Sequence, residues 1–302
     1  MNGVFKEFCQ NLLPPKAKVE TIAKRAKSII QKINECFYGE RITERYKFVG
    51  SYGRGTACAN VSDIDMFIRL PKNVYEQYND YRNNGQSAML QAVKECIART
   101  YPSTKLKGDG QVVIVSFCDN VIFEVVPVFR LIDGQYLHAD SNNGGSWKIT
   151  TPQPFIDAIN LGDKLSSHKL KNLCRMIRAW NEANNVGLKG VLIDTLAFNF
   201  LKAREWGKAY NCNSMMYKEF AYYDLMSLDF FEYLANQPQV TRKLNTPGNA
   251  ETVEDTGGYA TKALVAMQKA DQAIDFASCG DTFNASIIWK EIYGRDFPER
   301  TA

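Results

Sequence analysis

FVGSYGRGTACANVSDIDMFIRL, residues 48–70, joins a glycine turn to an acidic strand, and the rest of the chain is organised around it. Val49 ends one strand and leads into Gly50 and Ser51. Gly53 and Gly55 let the backbone turn tightly and approach a ligand closely, and Thr56 is placed to cap a short helical turn. Backbone amides at such a turn suit a phosphate. Asp63 and Asp65 then stand two apart in the apolar run Ile64, Met66, Phe67, Ile68, where the period of two sends both carboxylates to one face. An Asp-x-Asp pair alone is also how a strand with solvated acids begins. The ordered set of Gly-Ser, a second glycine pair and then Ser62-Asp63-Ile64-Asp65 points instead to a Mg²⁺ site beside a phosphate-binding turn.

Gly-Ser, a short spacer and Asp-x-Asp resemble the signature of the DNA polymerase β-like nucleotidyltransferases. Within that superfamily GSYGRGTACANVSDIDMFI most resembles the CD-NTases, bacterial relatives of cyclic GMP-AMP synthase and oligoadenylate synthase. The resemblance implies an α+β fold: a polymerase β-like nucleotidyltransferase core, with a mixed β-sheet and helices, over residues 1–150, and a helical domain over residues 151–302. It further implies a bilobed molecule with a central cleft for the nucleotide.

The 302 residues, 45% of them hydrophobic, are enough for sizeable cores. With 37 basic against 33 acidic residues no global field announces a nucleic-acid partner. Eight cysteines are scattered without a Cys-x-x-Cys pair, as expected of reduced core residues in a cytosolic protein. His138 and His168 lack ligand-like companions, which argues against zinc. No run of 18 apolar residues suggests a membrane span, and no signal peptide is evident, so a cytoplasmic location is expected.

Pro14-Pro15 introduces a helix to about Phe37, with Val19, Ile22, Ala26, Ile29, Ile33 and Phe37 on its apolar side and a lysine-rich, solvated outer face. Strands are expected at Tyr46–Val49, Asp63–Leu70, Gln111–Phe117 and Val121–Val128, with helical character between Val74 and Thr100 broken near Asn83-Asn84-Gly85. On the last strand Glu124 sits among apolar neighbours, costly unless it is paired, hydrogen-bonded or bound to metal. FEVVP resembles the family's third-acid motif, which implies Glu124 as the third metal ligand where relatives more often carry Asp. Residues 140–146 read as a loop, and the strand pattern stops after Thr151.

Helices are expected at Leu165–Ala183, Val191–Glu205, Met215–Ala235, Tyr259–Phe276 and Asn284–Tyr293, with a long mobile loop from Gln237 to Gly258. Lys171, Arg175 and Arg178 share one stripe, which by spacing alone is equally a solvated charged stripe. LCRMIRAWN resembles the family's basic stretch, and this implies nucleotide binding, with Arg178 where relatives usually place a triphosphate-contacting Lys. Gly190 and Val191 stand where relatives often carry Ser and an aromatic, so Tyr52 or a tyrosine elsewhere would have to stack on the base. SIIWKEIYGRDFP resembles the family's C-terminal signature, and Trp289 and Tyr293, four apart, are core on any reading.

Carried through, the resemblance implies two Mg²⁺ (or Mn²⁺) ions held by Asp63, Asp65 and Glu124, and phosphates gripped by Gly50 and Ser51. NTPs would be joined into a cyclic di- or trinucleotide with release of pyrophosphate. The product would go to a separate effector in antiviral (CBASS-type) signalling, with no nucleic acid or membrane needed. The alternatives are a nucleotidyltransferase that makes linear oligonucleotides or modifies tRNA or protein, and a non-catalytic nucleotide sensor.

Overall fold

The computed structural model describes residues 1–202 and 220–301. The expected helical stretches 203–205 and 215–219, together with Cys212, lie outside the described residues. The described part is α+β with a mixed sheet, and the chain falls into two units: residues 14–54 with 60–153, and residues 1–13, 55–59 and 154–302.

α1 (Asn2–Asn11) opens the chain and belongs to the second unit. The first unit starts with α2 (Lys16–Tyr38), which follows Pro15 and ends at Gly39, whose φ of +73° provides the left-handed residue that stops a helix. Then come β1 (Tyr46–Phe48), α3 (Gly50–Arg54), β2 (Asp63–Arg69), α4 (Lys72–Asn79), α5 (Gly85–Ala98), β3 (Lys105–Asp109), β4 (Val112–Ser116), β5 (Ile122–Arg130), β6 (Tyr136–Asp140) and β7 (Ser146–Thr150). β2 and β5 are parallel neighbours at the centre; every other pairing in this sheet is antiparallel. β4 pairs with residues 122–125 of β5, and β6 with residues 128–130.

Alternation decides which face each side chain takes. Ile64, Met66 and Ile68 of β2, with Phe123 and Val125 of β5, are buried against Ile22, Ile29 and Ile33 of α2 and Met89, Val93 and Ile97 of α5. The opposite face carries a smaller cluster of Val49, Phe67, Val126 and Val128, and on that same side by alternation lie Asp63, Asp65 and Glu124.

Three departures from expectation have simple causes. β3, β6 and β7 are five-residue strands with little apolar alternation, β3 and β7 largely exposed and β6 buried at its end, and Trp147–Thr151, expected as a lead into the prolines, is paired through β7. Cys36 and Cys96, expected to be reduced, are joined in a disulfide, while Cys118 and Cys279 are exposed rather than core. The bonded pair is 60 residues apart in sequence, and only the packing of α2 beside α5 brings their Cα atoms to 6.4 Å. Closing a loop of that length stabilises by about 2–4 kcal/mol. Cys36→Ser is therefore expected to lower the melting temperature under non-reducing conditions and to make the protein's stability insensitive to added reductant; thermal melts with and without reductant check both.

In the second unit α6 (Pro152–Leu165) precedes α7 (Leu170–Ala183), α8 (Gly190–Leu201), α9 (Tyr223–Ala235), β8 (Arg242–Asn245), β9 (Thr252–Asp255), α10 (Ala260–Ser278) and α11 (Thr282–Tyr293). α6 is a helix missed by sequence, because Pro152 and Pro154 read as breakers although proline suits a first helical turn. The stretch expected as a loop, Gln237–Gly258, contains the β8–β9 hairpin, pinned by the ion pair of Arg242 with the fully buried Asp255 at 2.8 Å. Phe5 and Phe8 of α1 are buried among Trp289, Tyr293 and Phe297, which is why the first residues fold with this unit and not with the sheet. No helix among the described residues is long and apolar enough to cross a membrane.

Candidate active site

β2 and β5 fix the acids. In their parallel register Asp65 lies directly opposite Glu124, and Asp63 opposite Ile122. Asp63, more exposed than Asp65 and Glu124, accepts from Ser62 Oγ at 3.1 Å. Burial raises the pKa of both Asp65 and Glu124; the charge of Asp63 adds to each, and the charge of Asp65 pushes Glu124 further. Arg54, buried at the end of α3, pulls Asp65 the other way through its charge. It lies in the quoted stretch but carried no sequence signal of its own, because an arginine in a glycine turn looks solvated.

Gly50 shapes the turn beside them. Its φ is +59°, and a Cβ placed there would come within 1.7 Å of Asp65 Oδ2, so only glycine lets the backbone pass the carboxylate this closely. The other positive φ falls at Gly55, whereas Gly53 lies within α3. Ser51, half-buried, follows Gly50 in α3. Tyr52 takes a different environment from the one expected: its ring meets Phe48 edge-on at 5.0 Å and packs with the cluster behind β2, on the Ile64 and Met66 side and not the side of the acids. Stacking on a base is not what this position offers.

The basic stripe belongs to the helical unit, and its two arginines each make several hydrogen bonds there. Arg175 donates from Nη2 to Gly55 O at 2.6 Å and from Nε to Ala57 O at 3.2 Å. Arg178 donates from Nη1 to Asp194 Oδ1 at 2.6 Å and to Cys174 O at 3.1 Å, and from Nη2 to Gly190 O at 3.1 Å. Burial opposes its charge, but the Asp194 carboxylate outweighs burial and holds the guanidinium above its usual pKa. Thr56, expected as a helix cap, is instead fully buried and donates its hydroxyl to the other oxygen of Asp194 at 2.8 Å. The expectation that Arg178 contacts a triphosphate therefore meets a guanidinium that already makes three hydrogen bonds to protein acceptors. A Cβ at Gly190 would approach Arg178 Nη2 to 3.2 Å, so the small residue at the start of α8 belongs with this arrangement. Lys171 differs: its ammonium reaches only Asn160 Oδ1, at 2.8 Å on the surface, and lies near Gly55.

Among the described residues, no three His, Cys, Asp or Glu side chains converge as a ready chelating group. The donor chemistry of Asp63, Asp65 and Glu124 nevertheless suits Mg²⁺ or Mn²⁺. All three offer hard carboxylate oxygens, and the pKa values of the half-buried Asp65 and Glu124 are raised first by desolvation and then by neighbouring carboxylate charge, a cost that a bound cation would relieve.

A search of curated proteins gives no match. Among solved structures, the chain resembles CdnC of E. coli MS115-1, seen in a complex with HORMA-deltaN, at 18% identity and TM-score 0.64, with 98% of each chain covered. CdnG of Bradyrhizobium diazoefficiens, a CD-NTase bound to GTP, aligns at 11% identity and TM-score 0.63, over 97% of this chain and 94% of that one. The cyclic AMP-GMP synthase DncV of Vibrio cholerae, with a linear intermediate, aligns at 13% identity and TM-score 0.60, over 98% and 87%. At these identities the likeness is one of fold, and it places the mixed sheet and helices above within the polymerase β-like CD-NTase architecture. The model of the Second Messenger Oligonucleotide or Dinucleotide Synthetase domain matches residues 1–161, more than half the chain, and the protein belongs to that family of CD-NTases.

Proposed function

We propose that the protein is a metal-dependent nucleotidyltransferase that joins NTPs, releases pyrophosphate and closes its product into a cyclic di- or trinucleotide. The observation that carries this reading is the register of β2 and β5, which sets Glu124 beside Asp65 on the face that Asp63 shares, next to the Gly50 turn. A pure nucleotide sensor has no use for three carboxylates on one face, two of them at the cost of desolvation and neighbouring charge that raises the pKa values of Asp65 and Glu124.

Asp63, Asp65 and Glu124 would hold two Mg²⁺ or Mn²⁺ ions, which when bound make a sugar hydroxyl more acidic and offset charge on the triphosphate and departing pyrophosphate. The chain's own groups then divide the remaining work. Gly50 and Ser51 present backbone and hydroxyl donors to the phosphates at a turn that tolerates close approach. Of the α7 stripe, Lys171 is the residue assigned to nucleotide binding, whereas Arg175 directly, and Arg178 through Asp194 and Thr56, hold the segment 55–59 that links the glycine turn to the acidic strand. Arg54 steadies the ionised form of Asp65.

Cyclisation, delivery of the product to a separate effector in antiviral (CBASS-type) signalling and a bacterial cytoplasmic setting rest on family membership. The test is incubation with all four labelled NTPs and Mg²⁺ or Mn²⁺, phosphatase digestion and mass analysis. A phosphatase-resistant cyclic species, absent from the Asp63→Asn, Asp65→Asn double variant, is the expected result. A product made equally by the double variant removes the reading, and a linear product moves the assignment to the non-cyclising alternative.

A further inference from the structure

The sheet unit carries a second feature, at the far ends of its two central strands. Arg69 ends β2 six residues past Asp63, on the order of 20 Å along the strand. Beside it Leu70, Phe129 and Leu137 line an open groove of about 830 Å³, with Tyr38 and Tyr75 along its sides. Ile132, at the tip of the turn between β5 and β6, lines the same groove with its side chain wholly in solvent. The charged residues lining it are all cationic: Arg69, Lys72 and Arg130, with no carboxylate among the lining side chains. Lys72 has Glu76 as a surface partner at 2.9 Å. Tyr38 donates its hydroxyl to the Arg69 backbone carbonyl at 3.2 Å.

We propose that this groove docks an acidic segment of a partner protein that carries a bulky apolar side chain. Charge complementarity selects the occupant, since an apolar floor between cations matches an apolar anchor flanked by Asp or Glu. An isoleucine projecting into water at the lip gains from a partner that covers the surface, not from a ligand sunk below it. A membrane would call for a broad apolar face where the turn offers a single exposed isoleucine, and a nucleic-acid strand would call for an extended basic track with stacking platforms.

The test is selection of random twelve-residue peptides displayed on phage against the whole protein. It is followed by affinity measurement of the enriched peptides on wild type and on an Arg130→Glu, Ile132→Asp variant, both positions being exposed. A melt of each protein and binding of NTP by each establish that the variant is folded. The expected result is enrichment of acidic sequences with one or two large apolar residues, bound at least tenfold more weakly by the variant. Enrichment of basic or purely polar sequences, no enrichment, or equal binding by the variant overturns the proposal. So does a variant-sensitive affinity for anionic phospholipid vesicles or single-stranded RNA in the absence of any enriched peptide, which assigns the groove to those ligands.

Discussion

Asp65→Asn is expected to remove product formation, by about 10³-fold or more, while leaving the metal-free protein as stable as wild type or more so. The two effects have opposite signs because one group causes both. A ligand that holds a catalytic cation contributes several kcal/mol to the transition state, and each 1.36 kcal/mol is tenfold in rate. In the metal-free fold the same carboxylate is a burden: burial and the charge of Asp63 raise its pKa, and the ionised form repels Glu124. Because the folded pKa lies above the unfolded one, the stability this group contributes is complete below about pH 4, the ordinary carboxylate value, and is lost as pH rises through the raised value. Asparagine carries no such loss. Melting curves of wild type and Asp65→Asn without metal should therefore coincide in acid and separate in the variant's favour toward neutral pH; adding Mg²⁺ should raise wild type alone. A variant that melts well below wild type at neutral pH would show that Asp65 is a structural acid, and retained turnover would remove it from the metal site.

Much of this centre is legible in the sequence because it is local. Alternation in Ser62–Arg69 places Asp63 and Asp65 on one face, and an acid amid apolar residues marks Glu124. Their meeting is a property of strand order, which alternation does not encode: β2 is parallel to β5 with Asp65 against Glu124 although 59 residues separate them. Long amphipathic helices such as α2 and α10 announce themselves by period, whereas β6 and β8 are four or five residues long and too polar to stand out. The least legible feature is the partner of a charge. A stripe of Lys171, Arg175 and Arg178 looks the same whether it faces solvent, a triphosphate or a buried aspartate. Nothing in LKGVLIDTLAF marks Asp194 as the acid that would engage Arg178. With Asp194 known, two departures from the family pattern become one: arginine in place of lysine supplies a planar fork for the carboxylate and two carbonyls, and glycine at position 190 leaves room for it.

That arrangement predicts a large structural effect from Asp194→Ala. The carboxylate is fully buried and accepts from both Arg178 and Thr56, so its removal leaves a guanidinium inside the fold without its counter-charge and a threonine hydroxyl without its acceptor. Breaking a buried ion pair from one side costs about 3–5 kcal/mol, which for a chain of this size lowers the melting temperature by on the order of 10 °C. Replacing both partners with apolar residues, Arg178→Met with Asp194→Leu, is expected to recover much of the loss, because no unpaired charge remains. The contrasting expectation, that Arg178 serves the nucleotide directly, makes a different pattern: Asp194→Ala would melt near wild type, and Arg178→Ala would raise the KM for NTP without a loss of stability. Thermal melts of the two single variants and the double variant, alongside KM and kcat for each, separate the two. In the clamp reading the damage follows the unpaired charge and is relieved in the double variant; in the phosphate reading it follows Arg178 and is not.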